Sequence, residues 1–168
     1  MKGQKGFTII EAMLSAILLG LIFVGVVRFF RNTLDVWFES SRQIDIQRKG
    51  RAAVDEMTRF IRQSSAPVTA IYPSIGITDT KIKFIYMGES GDRSMKYYQG
   101  DGSTRAEDPN GSALFRVVDG NTTTLIGNFL DEIYFVHESS YIVNITSMTL
   151  TKRDQVITFN KNIYLRNR

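Results

Sequence analysis

The sequence predicts an α+β fold in which one long N-terminal α-helix, half membrane-type and half amphipathic, packs on an antiparallel β-sheet head. Three observations carry this. Residues 7–27 hold a single ionisable side chain, Glu11. Apolar positions then recur at helical spacings as far as Ile61, and no proline intervenes between Phe7 and Pro67. Beyond Pro67 the pattern changes to alternation and β-rich runs broken by turn pairs.

The totals bound what such a chain can do. Its 168 residues, 43% of them hydrophobic, suit one modest globular domain plus the apolar N-terminus. The formal charge is +4, with Lys2 and Lys5 in the first six residues, which is too weak for a nucleic-acid footprint. There is no cysteine, so no disulfide framework, thiol chemistry or Cys-ligated metal arises. The single histidine, His137, excludes a His–His metal pair and a second histidine-based catalytic group.

Residues 7–27 come first in the chain and in the argument. As a helix they span about 32 Å, roughly one hydrocarbon core. A secretory signal peptide would be shorter, with its small-residue cleavage site on the far side. Here the far end runs into Arg28-Phe29-Phe30-Arg31 without a breaker, and the small residue, Gly6, lies before the apolar run. Lys2 and Lys5 on one side face Arg28 and Arg31 on the other, and the orientation read from them is a cytoplasmic N-terminus. Glu11 lies inside this segment, where a carboxylate costs several kcal/mol unless it is paired or near the interface. Either it sits one turn in, near the headgroups and the positive end of the helix dipole, or it has a partner.

The run "KGFTIIEAMLSAILLGLI" resembles the N-terminus of type IV prepilins and type II secretion pseudopilins: a short basic leader ending in Gly, then Phe, an apolar run, and Glu at the fifth mature position. The resemblance implies a leader, residues 1–6, removed by prepilin peptidase after Gly6, with N-methylation of the new terminus Phe7. It also implies a role for Glu11 in subunit assembly, its carboxylate pairing with the terminal ammonium of a neighbouring subunit. Two buried charges are tolerable when paired, so such a contact selects axial register. Implied partners are other pilins or pseudopilins in a hetero-oligomeric filament, an inner-membrane assembly platform, and membrane lipid before assembly. The implied location is the inner membrane, single-pass, with the head periplasmic or extracellular.

Residues 28–66 read as the amphipathic half of the helix. Phe30, Leu34, Trp37, Ile44, Val54, Met57 and Ile61 are spaced by sums of threes and fours, with Ser41 and Ala53 between them, and this stripe is expected to face the head. Ser64-Ser65-Ala66-Pro67 is the stop signal. Gly20, Gly25 and Gly50 weaken the helix by about 1 kcal/mol each relative to alanine; close helix packing is a use for Gly20 and Gly25. Arg48, Lys49 and Arg51 surround Gly50 and read either as a solvated face or as a DNA contact. No aromatic residue interleaves with them.

Residues 67–168 form the head. Candidate strands are 81–87, 94–98, 113–118, 122–126, 132–137, 143–151 and 155–165, with hairpin turns at Asp119-Gly120-Asn121 and Lys152-Arg153-Asp154 and a bulge near Asn160. Residues 88–111, rich in Gly, Asp, Glu and Ser, read as loop with one strand inside. Asp101, Glu107 and Asp108 there offer oxygen ligands for calcium, without EF-hand spacing; the reading adopted is a solvated loop with no metal and no cofactor. Asn121-Thr122-Thr123 and Asn144-Ile145-Thr146 match the glycosylation pattern and are assigned no role. The C-terminal stretch, closing in "IYLRNR", is similar to J-type minor pseudopilins and their type IV pilus counterparts. No catalytic constellation is found, so the expected function is that of a structural subunit, a minor pilin or pseudopilin. The alternative is a membrane-anchored binding module that contacts DNA or a surface.

Overall fold

The structure, a computed structural model, describes residues 8–64, 71–88, 91–153 and 155–166. The chain divides into two compact units, Met1–Arg42 and Gln43–Arg168. One helix, α1 (Ile9–Arg62), contributes to both, and eight strands follow: β1 (Thr78–Asp79), β2 (Lys81–Gly88), β3 (Gly91–Gly100), β4 (Ala113–Val118), β5 (Asn121–Ile126), β6 (Leu130–Ser139), β7 (Ile142–Lys152) and β8 (Gln155–Tyr164). The α+β architecture is the one the sequence predicts.

In the first unit α1 is apolar on nearly every side from Ile9 to Val27 and turns mixed from Arg28 onward. Ile9, Ile10, Leu14, Leu18, Ile22, Phe23 and Val27 are all exposed, Phe23 at 63%. Such a surface is unstable in water and suits hydrocarbon.

In the second unit the same helix changes character. Ile46, Gly50, Ala53, Val54, Met57, Thr58 and Ile61 are buried, at steps of three and four. This corrects the expected stripe: Val54, Met57, Ile61 and Ala53 face the head, whereas Phe30, Leu34, Trp37, Ser41 and Ile44 are exposed. Ile44 lies about 200° around the helix from Ile46, so the two cannot share a face. Gly50 permits the closest approach in the seam. A Cβ placed there would meet Phe159 Cε2 at 2.4 Å and Leu150 Cδ1 at 2.9 Å.

Two antiparallel four-stranded sheets complete the head, in the orders β1-β6-β7-β8 and β2-β3-β4-β5. Their apolar faces and the buried stripe of α1 make one core, with Ile82, Phe84, Tyr97, Phe135, Ile145 and Met148 at or near full burial. Alternation is strict where β2 meets β3. Ile82↔Tyr97 and Phe84↔Met95 face the core, and Lys81↔Tyr98 and Lys83↔Lys96 face the other way. On that outer face Tyr98, Ala113 and Phe115 form a second small cluster, Tyr98 stacking on Phe115 at 5.4 Å.

Local chemistry explains the strand ends. Asp119 and Gly120 both have positive φ, 49° and 88°, and join Val118 to its partner Asn121 as a two-residue hairpin. A register shift falls where Ile145↔Lys161 gives way to Met148↔Phe159, so the irregularity expected near Asn160 is present, with the extra residue on β7. β3 is longer than the expected 94–98, leaving residues 101–111 of the 88–111 stretch, and Ser112 after it, outside strands beyond Gly100. Its first residues are exposed on both faces, and their polar composition reads as loop although they pair along the whole of β2. The two-residue β1 has no pattern to detect. Of the expected stop, Ser65, Ala66 and Pro67 lie outside the described residues; α1 ends at Arg62, and Ser64 bridges to Tyr86.

Candidate functional site

The candidate site is the start of α1. Gly6 and Phe7 lie outside the described residues. The first helical bond runs from Ala12 N to Thr8 O at 3.1 Å, and the Thr8 hydroxyl oxygen accepts from Glu11 N at 3.3 Å. Thr8 is therefore the N-cap and Glu11 the third helical residue, the two defining positions of a capping box. Sequence reasoning passed over this signal, although Thr-x-x-Glu ahead of an apolar run is its recognised form. A threonine here satisfies one of the free amides of the first turn, and an acidic residue in that turn complements the helix dipole.

Around it the surface is uniformly apolar. Ser15 donates its hydroxyl proton to Glu11 O at 2.8 Å and Thr33 donates to Phe29 O at 2.9 Å, so these polar groups satisfy themselves along the helix. Among the described residues, α1 is the one helix long and apolar enough to cross a membrane. A carboxylate standing alone in such a surface is the group most in need of an intermolecular partner. Gly20 and Gly25 have nothing within 4 Å of where a Cβ would stand, so this chain by itself makes no use of their small size.

The other candidates are dispersed. Lys49 is bonded to Asp45 at 3.0 Å and lies over the Phe129 ring at 5.1 Å. The hydrogen bond from Lys49 holds the Asp45 carboxyl below its ordinary range, with Lys152 adding to the effect. Arg48 and Arg51 are exposed. Asp101 accepts from Ser103 and Thr104, Glu107 turns to Lys81 and Lys96, and Asp108 accepts from Asn110 N at 2.9 Å. Those three carboxylates are spent on different partners, and among the described residues no group of three or more acidic or histidine side chains could hold a metal ion.

His137 is fully buried on β6 with Nδ1 3.2 Å from Pro73 O. A carbonyl only accepts, so Nδ1 carries the proton and the ring is a core group. Asn144 is buried, which removes it as a glycosylation acceptor, and Asn121 is exposed at the start of β5. Gln99, which carried no signal in the sequence, is a buried latch. Its amide donates to Gly111 O and Asp131 O at 2.8 and 2.9 Å, and its oxygen accepts from Ile133 N at 3.1 Å.

Residues 1–27 match the family model described as the prokaryotic N-terminal methylation motif. No curated protein and no solved structure matches the chain. The motif match supports a prepilin or pseudopilin family, whose members are structural subunits rather than enzymes.

Proposed function

We propose that the chain is a minor pilin or pseudopilin, a structural subunit of a type IV pilus-like or type II secretion filament. Prepilin peptidase removes residues 1–6 by cutting after Gly6, Phe7 becomes the methylated amino terminus, and the protein waits in the inner membrane until its helix enters the filament. The observation that carries this reading is the coincidence of the methylation motif over residues 1–27 with a helix whose apolar side chains from Ile9 to Val27 have no partner of their own. Packing against equivalent helices of other pilins or pseudopilins would bury that surface, and Gly20 and Gly25 would then admit close neighbours. Glu11 would meet a neighbour's terminal ammonium, and the penalty for leaving either charge unpaired in an apolar core would fix the register.

The test is intact mass after co-expression with a prepilin peptidase. The expected product begins at Phe7 and carries one added methyl group, and Gly6→Ala abolishes it. An uncut precursor, under conditions where a known prepilin is cut, would overturn the reading. Glu11→Gln is expected to leave cleavage intact and to reduce incorporation into filaments.

A further inference from the structure

The outer face of the β2-β3-β4-β5 sheet carries a groove of about 660 Å³ lined by Tyr72, Lys81, Lys83, Ser94, Lys96 and Val117, with Gly120 at its end. Its charge arrangement is unusual for a sheet. Lys83 and Lys96 stand directly opposite each other in the β2–β3 register, an arrangement that destabilises an antiparallel pair, and Lys81 lies two residues along the same face. Tyr72 closes one wall by exchanging backbone bonds with Lys83 at 2.8 and 2.9 Å. Burial, and then the neighbouring charges of Lys81 and Lys83, push the Lys96 ammonium below its ordinary pKa.

One carboxylate already enters this cluster. Glu107, from the loop after β3, contacts both Lys81, at 3.3 Å, and Lys96. Asp79 accepts the Tyr72 hydroxyl, and Asp119, beside Gly120 at the groove's end, is taken up outside the lysine cluster by Ser94 N at 3.1 Å and Arg93 at 3.8 Å. Three ammonium groups against two carboxylates leave positive charge uncompensated, and Lys83, which is exposed, is the ammonium that neither carboxylate reaches. We propose that this groove binds an acidic segment of a partner protein, an aspartate or glutamate carboxylate entering between Lys83 and Lys96.

The geometry favours a protein carboxylate over nucleic acid for two reasons. Single-stranded nucleic acid is held by aromatic faces free to stack on bases, and among the described residues the one aromatic ring lining the groove, Tyr72, has Lys81 over it at 5.5 Å. The two resident carboxylates would also repel a run of phosphates, while the single residual charge matches one added carboxylate. Glu107 shows the mode of contact, a single carboxylate shared by two ammonium groups. The inference concerns the head alone and stands whether or not the chain is processed as a prepilin.

The experiment uses the full chain in non-ionic detergent and a fluorescein-labelled Glu-rich peptide, followed by anisotropy at low salt. The peptide is expected to bind. Lys83→Glu should weaken it by about tenfold, with Lys83→Ala weakening it less. Lys161→Glu, the same charge change on an exposed position of β8 in the other sheet, should leave it unchanged. Glu107→Gln, which frees Lys81 and Lys96, should tighten it. Absence of peptide binding, or equal effects of Lys83→Glu and Lys161→Glu, would overturn the proposal. So would a thymidine oligonucleotide of equal charge bound as tightly with the same dependence on Lys83. Lys83 is exposed, and an unchanged thermal midpoint of each variant would show that the fold is not what the assay reads.

Discussion

Two stretches of one helix, residues 9–27 and 43–62, follow opposite rules. In the first, apolar side chains cover nearly the whole circumference and remain exposed; in the second, a single stripe is apolar and is buried by the head. Backbone geometry is shared, so the difference lies in how many faces are apolar. A stripe can be satisfied within the molecule, whereas an all-round apolar surface needs lipid or other subunits. The second unit is complete as it stands, and the first is complete only in company.

The strongest challenge to that contrast is a pair of truncations. Met57→Ala, at a fully buried position, should cost about 2–5 kcal/mol of head stability, measured by denaturation of the full chain in detergent. Leu18→Ala, at a position 54% exposed, should leave that midpoint where it was. If Leu18→Ala destabilised the head comparably, the two units would not be independent.

Gln99→Ala tests how far the head depends on its own polar closure. Removing the side chain strands Gly111 O, Asp131 O and Ile133 N, and the expected loss is about 3 kcal/mol. A loss near zero would mean that water replaces the latch. Gly50→Val comes next: overpacking against Phe159 and Leu150 should cost about 1–3 kcal/mol. Gly20→Val and Gly25→Val, where a Cβ meets nothing, should not move the head's midpoint and should act only on assembly.

The smallest effect is local to the loop after β3. Hydrogen bonds from the Ser103 side chain and backbone, followed by those from Thr104, lower the Asp101 carboxyl to about 2. Because the folded value lies below the unfolded value of about 3.9, its contribution is complete above that pH and disappears as pH falls through the folded value. Carbon-detected titration should find Asp101 ionised well below the ordinary aspartate range, and Ser103→Ala should return it toward that range.

What the sequence disclosed follows from where the physics is local. The apolar run, the Asp119-Gly120 turn and the alternation through β2 all arise from near neighbours and can be read from residue order, as could the Thr8-x-x-Glu11 cap that was passed over. The head-facing register of α1 could be read only toward its end, where Ala53, Val54, Met57 and Ile61 lie on the expected stripe. Ile46 and Ile44 are equally apolar, and the partners the head presents, Phe159 and Leu150 beside Gly50 among them, favour Ile46 inward. Gln99 and the Lys83↔Lys96 pair were hidden for the same reason, since their partners lie on other strands. At the N-terminus the motif speaks for Gly6, Phe7 and Glu11 through family likeness, while the exposed helix surface supplies a physical need for neighbours.

The order of the strands bears on how quickly the head can form. Among the described residues, every sheet pairing but one joins strands adjacent along the chain; the exception is β1 with β6, through Thr78↔Val136 and Asp79↔Phe135. Hairpins between chain neighbours close short loops and lose little entropy in doing so, and folds of low contact order reach the native state sooner. Each hairpin can therefore zip independently, with β1 joining only after β6 is in place. A head built this way limits the time its core strands stand open.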